Sequence, residues 1–262
     1  MSGSFDTRNG AAVARRLVLD LELVVGGEAL RVEEAEAYFH GPGHEDPFAH
    51  RHPVQSTPGR WYFHRAGAGT YRGGSFKGLD LTFGPEGTFG GVLVRTVSRR
   101  GALVSGPSRV VDLLLALAGV DRVAALDDGR DALDPRGALH LRRAPRDEAV
   151  LRTARVGLTL KRHVAGDERP RWLLVRDRFL AETRIPKGRV HAVVALHQAG
   201  LDPAAVRQAT GSTAVERYLA RYAQGLAGGG FEAFAGRALS DADYAELHGI
   251  WTRRHGSDTI VW

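Results

Sequence analysis

The chain has no cysteine. That excludes a disulfide scaffold and every thiolate metal site. Lysine is almost missing as well: Lys77, Lys161 and Lys187 are the only three, and Met1 is the only methionine. No apolar run approaches the ~20 residues that span a bilayer, so no membrane partner is expected. The first residues, Met1 to Gly10, lack the apolar core of a signal peptide, and a cytoplasmic location is expected. No internal repeat is evident.

What is present is positive charge carried by arginine. The formal net charge is +6 and the pI about 10.0. Such a balance suits a phosphate-rich partner, and arginine suits bidentate phosphate contact. Richness in arginine and alanine also follows from coding bias in a GC-rich genome, so the charge supports a nucleic-acid partner without establishing one. With 43% hydrophobic and 25% charged residues in 262, the composition is that of a globular protein of one large domain or two modest ones.

Two parts are expected after a flexible N-terminus, residues 1–13. The first, 14–183, reads as strand-rich. Leu17 to Val25 is an apolar run ended by Gly26-Gly27, which predicts a strand and a hairpin turn. Ala29 to Tyr38 is the returning strand; Arg60 to His64, Leu79 to Phe83 and Gly90 to Val97 are further strands. Ser105-Gly106-Pro107-Ser108 starts a helix that runs to Ala118 on the spacing of Val110, Val111, Leu114, Leu115 and Leu117. Asp121 to Pro145 reads as irregular, and Val150 to Leu160 and Arg171 to Arg176 as closing strands.

The second part, 184–262, reads as a small all-α domain. Arg189 to Ala199 is helical. Asp202 caps a short helix from Pro203 to Thr210, Gly211-Ser212-Thr213 turns, and Ala214 to Gln224 forms another helix. Val193, Val194 and Leu196 can share a core with Val206, Ala209, Val215 and Leu219, leaving Thr213, Glu216, Arg217 and Arg221 outward. This outline resembles a helix-turn-helix, with Thr213, Arg217 and Arg221 as DNA contacts. A plain helical bundle fits it equally well. Gly225 to Gly230 reads as a linker, and Phe231 to Trp251 as a final helix or helix pair.

The densest chemistry lies in the first part. Glu36-Ala37-Tyr38 is followed by Glu45-Asp46-Pro47-Phe48-Ala49-His50. A carboxylate, an aromatic ring and an imidazole at that spacing can activate water and stack a planar group. Taken singly, Glu36 also reads as a solvated edge-strand carboxylate and Tyr38 as a half-buried strand residue. Arg95 stands in the apolar stretch Val92-Leu93-Val94-Arg95, where burial demands a carboxylate partner such as Glu36. The spacing of His40, His44, Asp46, His50 and His52 fits no standard zinc signature, so neither metal nor cofactor is expected.

Read in order with Ser105-Gly106-Pro107-Ser108 and Ala154-Arg155-Val156-Gly157, these motifs resemble the alkyladenine (methylpurine) DNA glycosylase family over about residues 14–180. The resemblance implies an α+β fold built on an antiparallel, partly barrel-like mixed sheet with flanking helices. It implies removal of a damaged base from duplex or single-stranded DNA by a monomer at the nucleoid. Glu36 matches the family's general base, Arg95 the arginine that helps hold water and carboxylate, and Tyr38 and His50 the residues that contact the flipped base. Ser108 opens a helix whose N-terminus can meet a phosphate.

The chain departs from the family along Tyr71 to Gly84. Gly74 replaces a second stacking tyrosine, Phe76 or Lys77 stands where a residue wedges into the duplex, and the family's asparagine is absent. An open pocket at Gly74 suggests a bulkier or poorly stacked lesion. Asp80 is an additional acid that can pair with Lys77 or Arg95. Two other readings compete: a non-catalytic DNA-binding protein on the same fold, and a hydrolase of free nucleosides or nucleotides.

Overall fold

The Asn9 side-chain oxygen accepts from the Ala12 N–H at 3.1 Å and caps helix α1 (Gly10–Leu19). The computed structural model describes residues 9–67, 69–162 and 169–256. By contact the chain divides into two compact units, residues 1–150 with 179–181, and residues 151–178 with 182–262.

In the first unit, β1 (Leu21–Val25), β2 (Glu28–Gly41) and β3 (His44–Glu45) follow α1. Next come β4 (Trp61–Phe63), β5 (Arg65–Ala66), β6 (Thr70–Tyr71), β7 (Leu79–Thr82), β8 (Phe89–Arg99) and β9 (Ala102–Ser105). Helices α2 (Pro107–Ala118) and α3 (Val123–Leu126) precede β10 (Leu139–Arg143). The sheet runs in the order β10-β1-β2-β8-β7-β4 with antiparallel pairs, β3 lying beside β2 and β9 beside β8. This is an α+β fold on a curled antiparallel sheet.

Strand pleating sends alternate residues to opposite faces. The cross-strand row Ala37–Val92–Leu81–Trp61 faces the apolar core, with Val110, Val111 and Leu114 of α2 and Val13, Leu17 and Val18 of α1 packed onto it. Each of these large side chains contributes roughly 1.5–3 kcal/mol on burial. The next row, Glu36–Leu93–Asp80–Tyr62, therefore faces the other way. Gly26 makes the β1–β2 turn at φ +57°, and a Cβ there would stand 1.9 Å from the Leu117 carbonyl oxygen, so helix α2 closes directly over the turn.

Three sequence expectations are corrected in this unit. The apolar run at Leu17 is the end of α1, and the strand begins only at Leu21. Val13, Ala14, Leu17 and Val18 share one helical face, a spacing that a short apolar run conceals. The stretch 121–145 is not irregular: it holds α3 and β10, which pairs with β1 from Leu21↔Arg143 to Val25↔Leu139. Of the N-terminal segment 1–13, residues 1–8 lie outside the described ones, and Gly10 to Val13 belong to α1.

The second unit contains β11 (Leu151–Thr153), α4 (Arg169–Leu174), α5 (Arg189–Gln198), α6 (Pro203–Thr210), α7 (Val215–Ala227) and α8 (Asp241–His255). The expected strand at Arg171–Arg176 is helix α4; the strand nearby is Arg178–Leu180. Of the strand expected over Val150–Leu160, Leu151–Thr153 is extended in a ladder. Val190, Val193, Val194, Val206, Val215, Tyr218, Tyr222 and Ala245 form one apolar cluster. Among the described residues no helix is long and apolar enough to cross a membrane.

Candidate active site

A double irregularity in the β2–β8 ladder builds the site. The register passes from Val32↔Val97 to Glu34↔Thr96 to Ala35↔Val94, so Glu33 and then Arg95 are extra residues. Bulges of this kind re-aim side chains and occur beside active sites. Here they bring Glu34, Glu36 and Arg95 together. The Arg95 guanidinium donates through Nε to Glu34 at 3.2 Å and through Nη1 to Glu36 at 3.2 Å. Tyr38 donates its hydroxyl to the same Glu36 oxygen at 2.8 Å, and Thr96 donates to Glu34 at 2.5 Å.

All three charged groups are buried: Glu36 is 0% exposed, Glu34 1% and Arg95 7%. Burial alone would pull the Arg95 guanidinium down, but the Glu36 and Glu34 carboxylates hold it above the ordinary arginine value. The turn before α2 supports the bulge. Gly106, at φ +111°, donates its N–H to the Arg95 carbonyl at 2.8 Å, and Thr96 Oγ1 bonds Ser105 Oγ at 3.1 Å.

A second polar group lies along the same sheet face. Asp80 is buried, and its two oxygens face His64 Nε2 at 2.9 Å and Gln55 Nε2 at 3.2 Å. Gly91, opposite Tyr38, makes room for it: a Cβ there would stand 2.6 Å from Asp80 Oδ2 and 2.7 Å from Gln55 Nε2. The His50 ring meets His64 edge-on at 4.3 Å, and His52 stacks on Tyr62 at 4.9 Å. His50 Nδ1 lies 3.5 Å from the Tyr62 hydroxyl.

Burial, then His64, pushes His50 down to about 4, so its imidazole is neutral at neutral pH. Burial, then Arg65, lowers His52. Burial, then Asp80, raises the Tyr62 phenol. A cavity of about 490 Å³ opens here, walled by His50, His52, Tyr62, Arg65 and Arg72 among others.

Asp80 thus pairs with neither partner expected for it. Arg95 is taken by Glu34 and Glu36, and Lys77 reaches Asp112 at 2.6 Å. Ser108 donates its hydroxyl to the Gly74 carbonyl at 2.9 Å. Together these two contacts fix the short 3₁₀ turn Gly74–Phe76 against α2 and leave Phe76 69% exposed. Gly74 has φ +55° and open space where a Cβ would project. Arg155 is buried in the second unit, where its Nη2 donates to the Trp172 carbonyl at 3.0 Å.

Glu34, His64 and Gln55 went unassigned in the sequence, and Asp80 unplaced. The clue was available: an acid between Leu79 and Leu81 in a buried strand needs a partner for the same reason as Arg95. In the second unit Thr213, Glu216 and Arg217 are exposed; Arg221 is partly buried, donates to Gln224 at 2.8 Å and pairs with Glu246 of α8. Among the described residues no three His, Asp or Glu side chains are grouped to hold a metal ion.

No protein-family profile matches the chain. It is similar to "Uncharacterized protein L759" of Acanthamoeba polyphaga mimivirus, 30% identical over 158 residues that make up 53% of this chain and 73% of the viral one. At that identity and coverage, the chain belongs to the same family as the mimivirus protein.

Proposed function

We propose that the chain is a DNA glycosylase that hydrolyses the N-glycosidic bond of a damaged base, with Glu36 activating the water. The observation that carries this reading is the Arg95 guanidinium shared by two buried carboxylates. Both carboxylates are enclosed in a low-dielectric site. Breaking a C1′–N bond builds positive charge on the sugar, and a fixed negative charge there stabilises the transition state. Arg95 and the Tyr38 hydroxyl orient the Glu36 carboxylate, leaving it to accept the proton of the attacking water.

Tyr38 and His50 contact the extruded base, neutral His50 as a hydrogen-bonding group without charge. Phe76, held out on its braced turn, enters the gap in the stack, and the open space at Gly74 admits a bulky lesion. Helices α6 and α7 with their intervening turn act as a helix-turn-helix that raises affinity for DNA, chiefly through Thr213 and Arg217. The protein works as a monomer at the nucleoid, without metal or cofactor.

Base release from alkylated genomic DNA, wild type beside Glu36→Gln, tests the reading. Release by wild type and its loss in a variant that still binds DNA is the expected result. The complete enclosure of Glu36 favours one alternative, a non-catalytic DNA-binding protein in which the carboxylate only braces the sheet. Tight binding with no release by either protein would establish that alternative. A panel in which small methylated purines leave best and bulky adducts not at all would refute the open-pocket assignment.

A further inference from the structure

We propose that a second cavity of the first unit, on the far side of strand β4 from the candidate active site, binds the terminal phosphomonoester of a nucleotide. The proposal does not rest on the glycosylase reading: it concerns a different cavity and is tested by binding alone.

Strand β4 separates two hollows. Successive residues of a strand point to opposite faces. Tyr62 lines the 490 Å³ cavity beside His50 and His52, whereas Trp61 lines a cavity of about 440 Å³. Arg65, just beyond β4, lines both. Small-molecule sites occupy about 300–1,000 Å³, so the second cavity has room for a whole ligand and not only for an ion.

The wall is rich in uncommitted donors. Arg60, Arg65 and Arg130 line it together with one acid, Asp127. A guanidinium carries five N–H groups. Arg60 spends one of them, donating Nη1 to the Gly129 carbonyl at 2.6 Å, and makes no ion pair among the described residues. Arg65 lies over the Tyr71 ring at 4.4 Å and donates Nη2 to the Tyr71 hydroxyl at 3.1 Å and to Asp127 at 3.2 Å. Its Nε is enclosed and has no hydrogen-bond partner among the described residues. Enclosed donors are otherwise nearly always bonded, so this one marks a place for a ligand or a water to complete.

The Arg130 guanidinium stands 3.7 Å from Asp128 and 3.6 Å from Asp134, beyond hydrogen-bond reach of either. Those two acids are turned elsewhere. Asp128 accepts the backbone N–H groups of Arg130 and Ala138, each at 3.0 Å, and Asp134 takes the Arg136 guanidinium at 2.8 Å. Asp127, held by Arg65 and the Tyr71 hydroxyl, orients one arginine and leaves the other two to a ligand.

Arginine forks match phosphate oxygens bidentately. A phosphomonoester carries about −1.5 to −2 charge at pH 7 and three strong acceptor oxygens. It therefore answers three guanidiniums better than a phosphodiester inside a strand, which has a single charge. Trp61 and Tyr71 add apolar wall for the sugar and base that such a phosphate carries.

Isothermal titration calorimetry on the full chain provides the test. The probes are deoxyadenosine 5′-monophosphate, deoxyadenosine, the 3′,5′-cyclic phosphodiester of deoxyadenosine, and a short oligothymidylate with a 5′-phosphate or a 5′-hydroxyl. The monophosphate is expected to bind at least about 10-fold more tightly than the nucleoside or the cyclic diester. Arg60→Gln and Arg130→Gln should each weaken it about 10-fold, the scale of one charge-assisted contact. Arg130 is exposed, so its variant keeps the fold should that of Arg60 not. Arg15→Gln, exposed on α1, removes the same charge elsewhere and should change affinity less than about 2-fold. Tighter binding of the 5′-phosphorylated strand than of the monophosphate makes a strand end the source of the phosphate; equal or weaker binding makes it a free nucleotide. The inference is overturned if the nucleoside binds as well as the monophosphate, if strands bind alike with and without the 5′-phosphate while the monophosphate does not bind, or if nothing binds. It is equally overturned if affinity survives Arg60→Gln and Arg130→Gln but is lost in Arg72→Gln, which places the ligand in the 490 Å³ cavity. None of these outcomes alters base release, so the glycosylase reading stands or falls separately.

Discussion

Arg95→Met removes the cation that bonds both Glu34 and Glu36 in the interior. The methionine fills the volume of the arginine stem, so little packing is lost; what disappears is the charge. Removing one member of a buried ion pair costs about 3–5 kcal/mol, because the partner stays buried without compensation. Two carboxylates are affected here, but Glu34 keeps the Thr96 hydroxyl and Glu36 keeps that of Tyr38, each contributing about 1 kcal/mol. The expected loss at pH 8 is therefore near the lower bound, about 3 kcal/mol, against a total stability of about 5–15 kcal/mol for a typical domain.

The pH dependence identifies the mechanism. With the cation gone, the native variant relieves itself by binding a proton between the two carboxylates, a proton the unfolded chain does not hold near neutrality. Where the native state binds more protons, stability falls as pH rises. The deficit should thus be larger at pH 8 than at pH 5. Urea denaturation of both proteins at the two pH values measures it. A loss below about 1 kcal/mol at pH 8, or the same loss at both, would refute the charge argument and reduce Arg95 to a packing residue.

Three further outcomes are expected. Gly249→Ala should destabilise the second unit: a Cβ there would stand 2.0 Å from the Tyr222 carbonyl oxygen, and although alanine gains about 1 kcal/mol of helix propensity, a clash with backbone costs more; thermal melting above wild type would contradict this. His248, pushed down to about 3 by burial and then Arg176, binds its proton more weakly folded than unfolded, so it contributes stability that is complete above about pH 6.5 and is lost as pH falls toward 3; His248→Gln should flatten that slope in an acid titration of stability. Phe76→Ala should leave stability within about 0.5 kcal/mol, because the ring is exposed, yet weaken base release from duplex more than from single-stranded DNA; equal effects on both substrates would remove the wedge assignment.

The contrast between Arg95 and Asp80 shows what a sequence discloses and what it withholds. Both are charged residues in buried strands, and the cost of an unpaired buried charge predicts a partner for each. For Arg95 one partner was legible, because Glu36, two residues before Tyr38, is a carboxylate in a neighbouring apolar strand. Glu34, the second partner, was not, since only the paired extra residues Glu33 and Arg95 turn it toward the guanidinium. Asp80 was misdirected to Lys77 or Arg95 because its real neighbours come from register. His64 lies 16 residues away and Gln55 25, and neither separation carries a period. A one-residue slip of β7 would send Asp80 into the apolar core, so its placement is fixed by the whole alternation of Leu79, Leu81 and Phe83 against Val92 and Val94. The helices were easier where caps punctuate them, as at Asp202-Pro203 and Ser105-Gly106-Pro107, and harder at α1, where the apolar residues of the helix run straight into those of β1. The site is therefore half local and half register-made: the Glu36–Tyr38 spacing was readable along one strand, while the second acid became visible only when four strands stood side by side.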